Sequence, residues 1–186
     1  YDAVFDDQEQ QFYLVMEYVA GESLDDYLKT TGPLPLDITL DIAIGVAQAL
    51  QYAHERDIVH RDIKPSNVML QNGQTKLTDF GLAQLISSLT EGADVIAGTP
   101  EYMSPEQVDG KEADKRADIY SLGAILYEMV TGRVPFEGDT PFSIGVKQKG
   151  EIPRPPKEFN EQIPESLNHV ILKCMEKDKE KRFQDI

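Results

Sequence analysis

The sequence has a single cysteine, Cys174, so no disulfide can form within the chain, and a lone thiol fits a reducing compartment. Its neighbours Val170, Ile171, Leu172 and Met175 make an apolar helical stretch, which favours a buried structural thiol over a reactive one. No apolar run approaches the ~20 residues of a membrane-spanning helix. The opening Tyr1-Asp2-Ala3 has neither an initiator methionine nor a signal-peptide pattern. These features predict a cytoplasmic polypeptide that begins inside a longer gene product, whose remainder could carry a membrane anchor. Internal repeats and low-complexity segments are also missing. Positive charge is scarce: 18 Lys and Arg stand against 33 Asp and Glu, a net charge of −15. Such a surface repels phosphate backbones and argues against nucleic acid and anionic membranes as partners. It suits basic peptides, although an acidic surface is also a common means of staying soluble.

The length of 186 residues allows one domain with a hydrophobic core, and 40% hydrophobic with 27% charged residues is the ordinary soluble balance. Apolar runs at 1–5 and 12–18 flank a polar stretch, the pattern of a β-hairpin. After Ala20-Gly21, Ser23 is placed to cap a short helix, with Asp25 and Asp26 in the first turn, where the helix dipole favours acids. From Leu36 to about Arg56, Ile38, Ile42, Val46, Leu50 and Ala53 recur at three- and four-residue spacing, which predicts a long amphipathic helix. Ile58-Val59 and residues 68–70 read as short β pieces, Asn72-Gly73 as a hairpin turn, and 76–78 as the return strand. Residues 82–104 are long, polar and rich in Ser, Thr and Gly, the mark of a functional or mobile loop. A helix over 115–131 is apolar nearly all round, so it belongs at the centre of the core, and Gly132 stops it. Two further helices are expected over 141–149 and 165–177. The fold class is mainly α with a small β portion, α+β.

Residues 60–67 read His-Arg-Asp-Ile-Lys-Pro-Ser-Asn, and Asp79-Phe80-Gly81 begins seventeen residues after Asp62. Phosphoryl transfer needs a hydroxyl held in line, neutralised phosphate charge and one or two magnesium ions. Asp62 is the candidate base, and Lys64 is close enough along the chain to reach the transferring phosphate. Asn67 and Asp79 offer hard oxygen ligands, which suit Mg²⁺ far better than zinc. His60 and Phe80 read as packing residues that align the two segments. Either string alone is weak, and a turn explains it. Both together, in this order and with Asn67 five residues after Asp62, are specific.

These strings resemble the catalytic and metal-binding loops of serine/threonine protein kinases, and Lys64 resembles the Ser/Thr rather than the tyrosine branch. The resemblance implies ATP and Mg²⁺ as cofactors and Ser/Thr hydroxyls of proteins as acceptors. Residues 98–106, Gly-Thr-Pro-Glu-Tyr-Met-Ser-Pro-Glu, look like the end of a kinase activation segment and are similar to bacterial-type members. By that resemblance Thr99 helps orient the substrate hydroxyl, and Glu106 pairs with Arg182. Asp118 would then bond the backbone of the His-Arg-Asp turn. Residues 15–19 resemble the hinge between two lobes, with adenine against the backbone of Glu17 and Val19, Met16 behind it and Met69 beneath. Core packing explains both methionines equally well. Ser23 either touches the ribose or simply caps its helix, and Glu128 either contacts basic substrate residues or is a solvated charge. Arg61 is of the kind that receives a loop phosphate, with Ser87, Ser88 and Thr90 as candidate acceptors.

No Gly-x-Gly-x-x-Gly occurs, and the first lysine, Lys29, lies too late to be the small-lobe strand lysine. The resemblance therefore predicts a last small-lobe hairpin over 1–18 and a large lobe over 19–186, truncated at its end. A polypeptide of this extent is expected to be inactive alone and to bind ATP weakly. The alternative is a truncated or pseudokinase module that binds partners without catalysis.

Overall fold

The computed structural model describes residues 2–6, 11–80 and 99–186. Strands β1 (Asp2–Asp6) and β2 (Gln11–Val15) pair antiparallel, from Asp2 opposite Val15 to Asp6 opposite Gln11. A second sheet has the order β3 (Glu22–Ser23), β4 (Val68–Gln71), β5 (Gln74–Leu77), all antiparallel. Asn72 (φ 50) and Gly73 (φ 76) both take the left-handed backbone that a tight hairpin turn requires.

Helix α1 (Leu24–Thr31) starts at Ser23, whose hydroxyl accepts the Asp26 N–H at 3.1 Å, and buries Leu24 and Leu28, one turn apart. Helix α2 (Leu36–His54) buries Thr39, Ile42, Ala43, Val46, Leu50 and Ala53, the stripe that its sequence spacing predicts. A single turn, α3 (Pro105–Val108), is followed by α4 (Lys115–Thr131), which is buried on nearly every side and ends at Gly132 with φ 70. Helices α5 (Pro141–Gly150) and α6 (Glu165–Cys174) complete the layer. Helix α4 packs against both α2 and α6, and β5 packs against α2. A Cβ on Gly123 would lie 2.6 Å from the Cβ of Cys174, so glycine is what lets α4 and α6 approach. Cys174 is 5% exposed, and burial pushes its thiol up to about 12, so it is inert packing. Among the described residues, no helix is long and apolar enough to cross a membrane.

Three local expectations change. Ile58-Val59 is not a strand, because the following N–H groups, of His60 and Arg61, go to the Asp118 carboxylate instead of to a neighbouring strand. Strand β5 spans Gln74–Leu77 and ends one residue before Thr78, although the Thr78 N–H still reaches the Asn67 carbonyl in register at 2.9 Å. Helix α6 ends at Cys174, three residues early, and frees Lys177 to reach the Tyr120 hydroxyl at 3.1 Å. The mainly helical class with a small β portion stands.

Candidate active site

The segment 60–67 takes its shape from one carboxylate. Asp118, fully buried in the first turn of α4, accepts the N–H groups of His60 (2.9 Å) and Arg61 (2.8 Å), and His54 Nε2 lies 2.8 Å away. The helix N-terminus favours negative charge there. These bonds hold Arg61 at φ 68, a left-handed conformation that costs a non-glycine residue about 1–2 kcal/mol. Hydrogen bonds to a charged acceptor, each worth about 1.5–3 kcal/mol, outweigh that strain.

His60, also fully buried, joins this segment to the next. Its Nε2 donates to the Thr78 carbonyl (2.7 Å), and its Nδ1 accepts the Asp62 N–H (3.2 Å). One nitrogen donates and the other accepts, which defines a neutral ring with its hydrogen on Nε2. The ring packs against Phe80 with centroids 4.5 Å apart. Both residues therefore align the segments, as their positions in the sequence suggest.

Asp62 is the focus of what is aligned. Its Oδ2 lies 2.8 Å from Lys64 Nζ and accepts Asn67 Nδ2 at 3.2 Å, while Asn67 Nδ2 also donates to the Asp62 carbonyl at 2.8 Å. Asp62 Oδ1 has no hydrogen-bond partner among the described residues, which leaves it as an acceptor. Asn67 holds the Thr78 N–H and hydroxyl on its carbonyl, at 2.9 and 3.1 Å, which brings Asp79 to the same place. Asp79 sits at φ 63. With its amide nitrogen committed to Asp62, Asn67 keeps an oxygen for a hard cation, and Asp79 adds a carboxylate. Among the described residues no group of three or more His, Cys, Asp or Glu converges on a metal position. That donor set suits magnesium, which keeps waters and phosphate oxygens as its remaining ligands.

Above this cluster opens a cleft of about 550 Å³, lined by Met16, Glu17, Val19, Met69, Asp79 and Phe80 among others. The expected hinge residues and both methionines thus face one space. Ser23 does not line it: its hydroxyl accepts Asp26 N–H and donates to Asp26 Oδ2 at 2.7 Å, the capping reading. Thr99 lines a separate cavity of about 360 Å³ with Lys64, Ser66, Asp25 and Glu101.

Residues 1–184 match the protein kinase domain family. The chain belongs to the protein kinase family. It is 48% identical over 174 residues to a probable serine/threonine-protein kinase of Clostridium perfringens, covering 92% of this chain and 25% of that protein. It is 44% identical over 176 residues to the serine/threonine-protein kinase PknB of Mycobacterium leprae, covering 92% and 28%. PknB of Mycobacterium tuberculosis is 42% identical over 177 residues, covering 92% and 28%. The chain spans about a quarter of the length of these relatives.

In this kinase-family chain the pair Glu106–Arg182 forms as the resemblance implies, with Nη1 and Nη2 donating to the two carboxylate oxygens at 2.7 and 2.8 Å. Burial raises the Glu106 pKa, but the Arg182 hydrogen bonds and charge outweigh it and hold the carboxyl below its usual range. Glu128 is not a solvated charge. It accepts the Tyr102 hydroxyl at 2.6 Å; burial, then the Asp25 and Glu101 charges, push its pKa up against that bond. Gln148 donates to the carbonyls of Pro100 (3.1 Å) and Glu101 (2.7 Å) and accepts the Tyr120 hydroxyl, which fixes the turn beside Thr99. Gln107 donates to the Arg61 carbonyl at 2.7 Å, tying α3 to the His-Arg-Asp segment. Sequence reasoning missed Gln107, although the Ser104-x-x-Gln107 spacing is the signature of the capping box it forms. Among the described residues Arg61 Nε is buried without a partner. The candidate acceptors Ser87, Ser88 and Thr90 lie outside the described residues.

Proposed function

We propose that the protein is a serine/threonine kinase that transfers the γ-phosphoryl group of ATP to Ser or Thr hydroxyls of protein substrates. The observation that carries this reading is the Asp62 carboxylate, held on Oδ2 by Lys64 and Asn67 and open on Oδ1. In this reading Asp62 orients the acceptor hydroxyl and takes its proton, since a carboxylate with one free oxygen and a cation on the other is a fixed acceptor. Lys64 sits beside the incoming phosphate charge and Thr99 flanks the acceptor. Met16, Glu17, Val19 and Met69 surround the adenine, while Ser23 caps its helix. Asn67 and Asp79 would hold Mg²⁺, which neutralises phosphate charge when bound. Residues 1–18 act as the small-lobe hairpin and hinge start, and 19–186 as the large lobe. The acidic balance of the chain supports protein rather than nucleic-acid partners, and its single thiol supports a cytoplasmic location.

The test is Asp62→Asn in the full-length protein, with phosphotransfer to a protein substrate and nucleotide affinity both measured. Loss of general-base and orienting action predicts a fall in turnover of about 10²–10⁴-fold with nucleotide affinity nearly unchanged. Near-normal turnover in the variant refutes the assignment.

A further inference from the structure

A cavity of about 270 Å³ opens between the end of α4, the loop that follows, the end of α5 and the segment before α6. None of its lining residues lines the large cleft. Its chemistry is unusual for a chain of net charge −15, because cations gather there. Arg133, Lys147 and Arg154 all line it. Among the described residues Arg133 and Lys147 have no carboxylate partner; Lys147 Nζ donates only to the Glu137 carbonyl, at 2.7 Å. Arg154 gives Nε and Nη2 to Glu158, at 3.1 and 3.0 Å, and retains Nη1.

Two observations make this a built site rather than a charged surface. Both guanidiniums lie against the ring of Phe159, Arg154 Cζ at 4.5 Å from the centroid and Arg133 Cζ at 5.2 Å. That contact restrains two otherwise mobile side chains before any ligand arrives. At the floor is Tyr127, only 2% exposed and edge-on to Phe159, whose hydroxyl has no hydrogen-bond partner among the described residues. Burial pushes this phenol up to about 12, so it remains a donor at neutral pH. The hydroxyl keeps access to the cavity that Tyr127 lines, so it stands there as a free donor.

We propose that this cavity binds a small phosphate monoester, its phosphoryl oxygens held by Arg133, Arg154 and Lys147 and by the Tyr127 hydroxyl. Planar guanidinium forks, a point-charge ammonium and a neutral hydroxyl together offer more donors than a carboxylate's two oxygens use, and match a phosphate's three. The volume of about 270 Å³ lies at the small end of the ~300–1,000 Å³ typical of drug-sized ligands, which favours a compact ligand over a nucleotide. Glu137 and Glu151 also line the cavity and repel a polyanion, which leaves one compact oxyanion as the fitting ligand. This proposal stands independently of the catalytic reading.

The experiment is calorimetric titration of the full-length protein with glycerol phosphate, with glycerol and inorganic phosphate as separate arms. The expected result is one-site, salt-sensitive binding of glycerol phosphate and none of glycerol. Weaker binding of inorganic phosphate supports a monoester site; equal binding replaces the monoester with free phosphate and overturns that part. Arg133→Gln/Arg154→Gln should weaken affinity at least about tenfold, and Tyr127→Phe about three- to tenfold. Absence of saturable binding, or affinity unchanged in the double variant, overturns the proposal, the latter by placing the phosphate elsewhere. Should the double variant melt early, Tyr127→Phe decides, since it removes one oxygen: wild-type affinity there sinks the site.

Discussion

Arg182 is a charged side chain whose loss should cost this fold heavily. It is 2% exposed and spends its guanidinium on five acceptors. Two are the Glu106 oxygens, and three are the carbonyls of Glu176 (2.7 Å), Arg116 (3.1 Å) and Lys177 (3.2 Å). Arg182→Met removes all five donations and strands a carboxylate whose side chain is only 10% exposed. Breaking a buried pair from one side costs about 3–5 kcal/mol. Glu106→Gln is milder, about 2–3 kcal/mol, because Arg182 keeps its three carbonyls and one oxygen of the amide. For a domain of this size each kcal/mol moves Tm by about 2–4 °C, so Arg182→Met should lower it by about 6–20 °C. The double variant Glu106→Leu/Arg182→Met should lose less than the sum of its singles, since neither charge is left alone. The pH dependence gives a second check. The folded pKa of Glu106 lies below its ordinary 4.5, so its contribution is present above that value and fades as pH falls through the folded pKa. The acid limb of the stability curve should therefore flatten in Glu106→Gln. Urea denaturation followed by circular dichroism measures all of this. A loss under about 1 kcal/mol in Arg182→Met, or strict additivity in the double variant, would refute the reasoning.

Two further outcomes follow from buried groups. Asp118→Ala withdraws the acceptor from His60, Arg61 and His54, so it should cost about 3–5 kcal/mol and abolish phosphotransfer; a stable, active variant would contradict its organising role. Burial, then the Arg182 charge, lower the Lys177 pKa from 10.5 to about 8, so between those values the unfolded chain holds a proton that the fold has released. Stability relative to Lys177→Met should accordingly rise with pH through that window; parallel urea midpoints for the two proteins would rule this out.

How legible the molecule was depended on distance along the chain. Asp62, Asn67 and Asp79 stand on a local hairpin whose Asn72-Gly73 turn is written in the sequence, so two short strings and their resemblance to kinase loops were enough to single them out. Helix α4 announced itself through apolar residues on all sides. The pair Glu106–Arg182 was legible only through family resemblance, because nothing local joins residues 76 positions apart. The β-branched Ile58-Val59 misled, since the donors that follow were claimed by a distant carboxylate. Strand β3 is two residues long, too short for any period, and exists only because β4 lies beside it. The cations around Phe159 come from three separate segments and carry no common spacing.

The Asp118 contacts also set an order of events. The residues it organises precede it by 57, 58 and 64 positions. A chain emerging from the ribosome therefore presents its His-Arg-Asp segment well before the group that bends Arg61 into its strained backbone. Closing a loop of that size carries an entropy cost that only the docking of α4 repays. The His-Arg-Asp segment should thus reach its final shape only once α4 has docked. Its amides at His60 and Arg61 should open to hydrogen exchange together with the first turn of α4, as one cooperative unit.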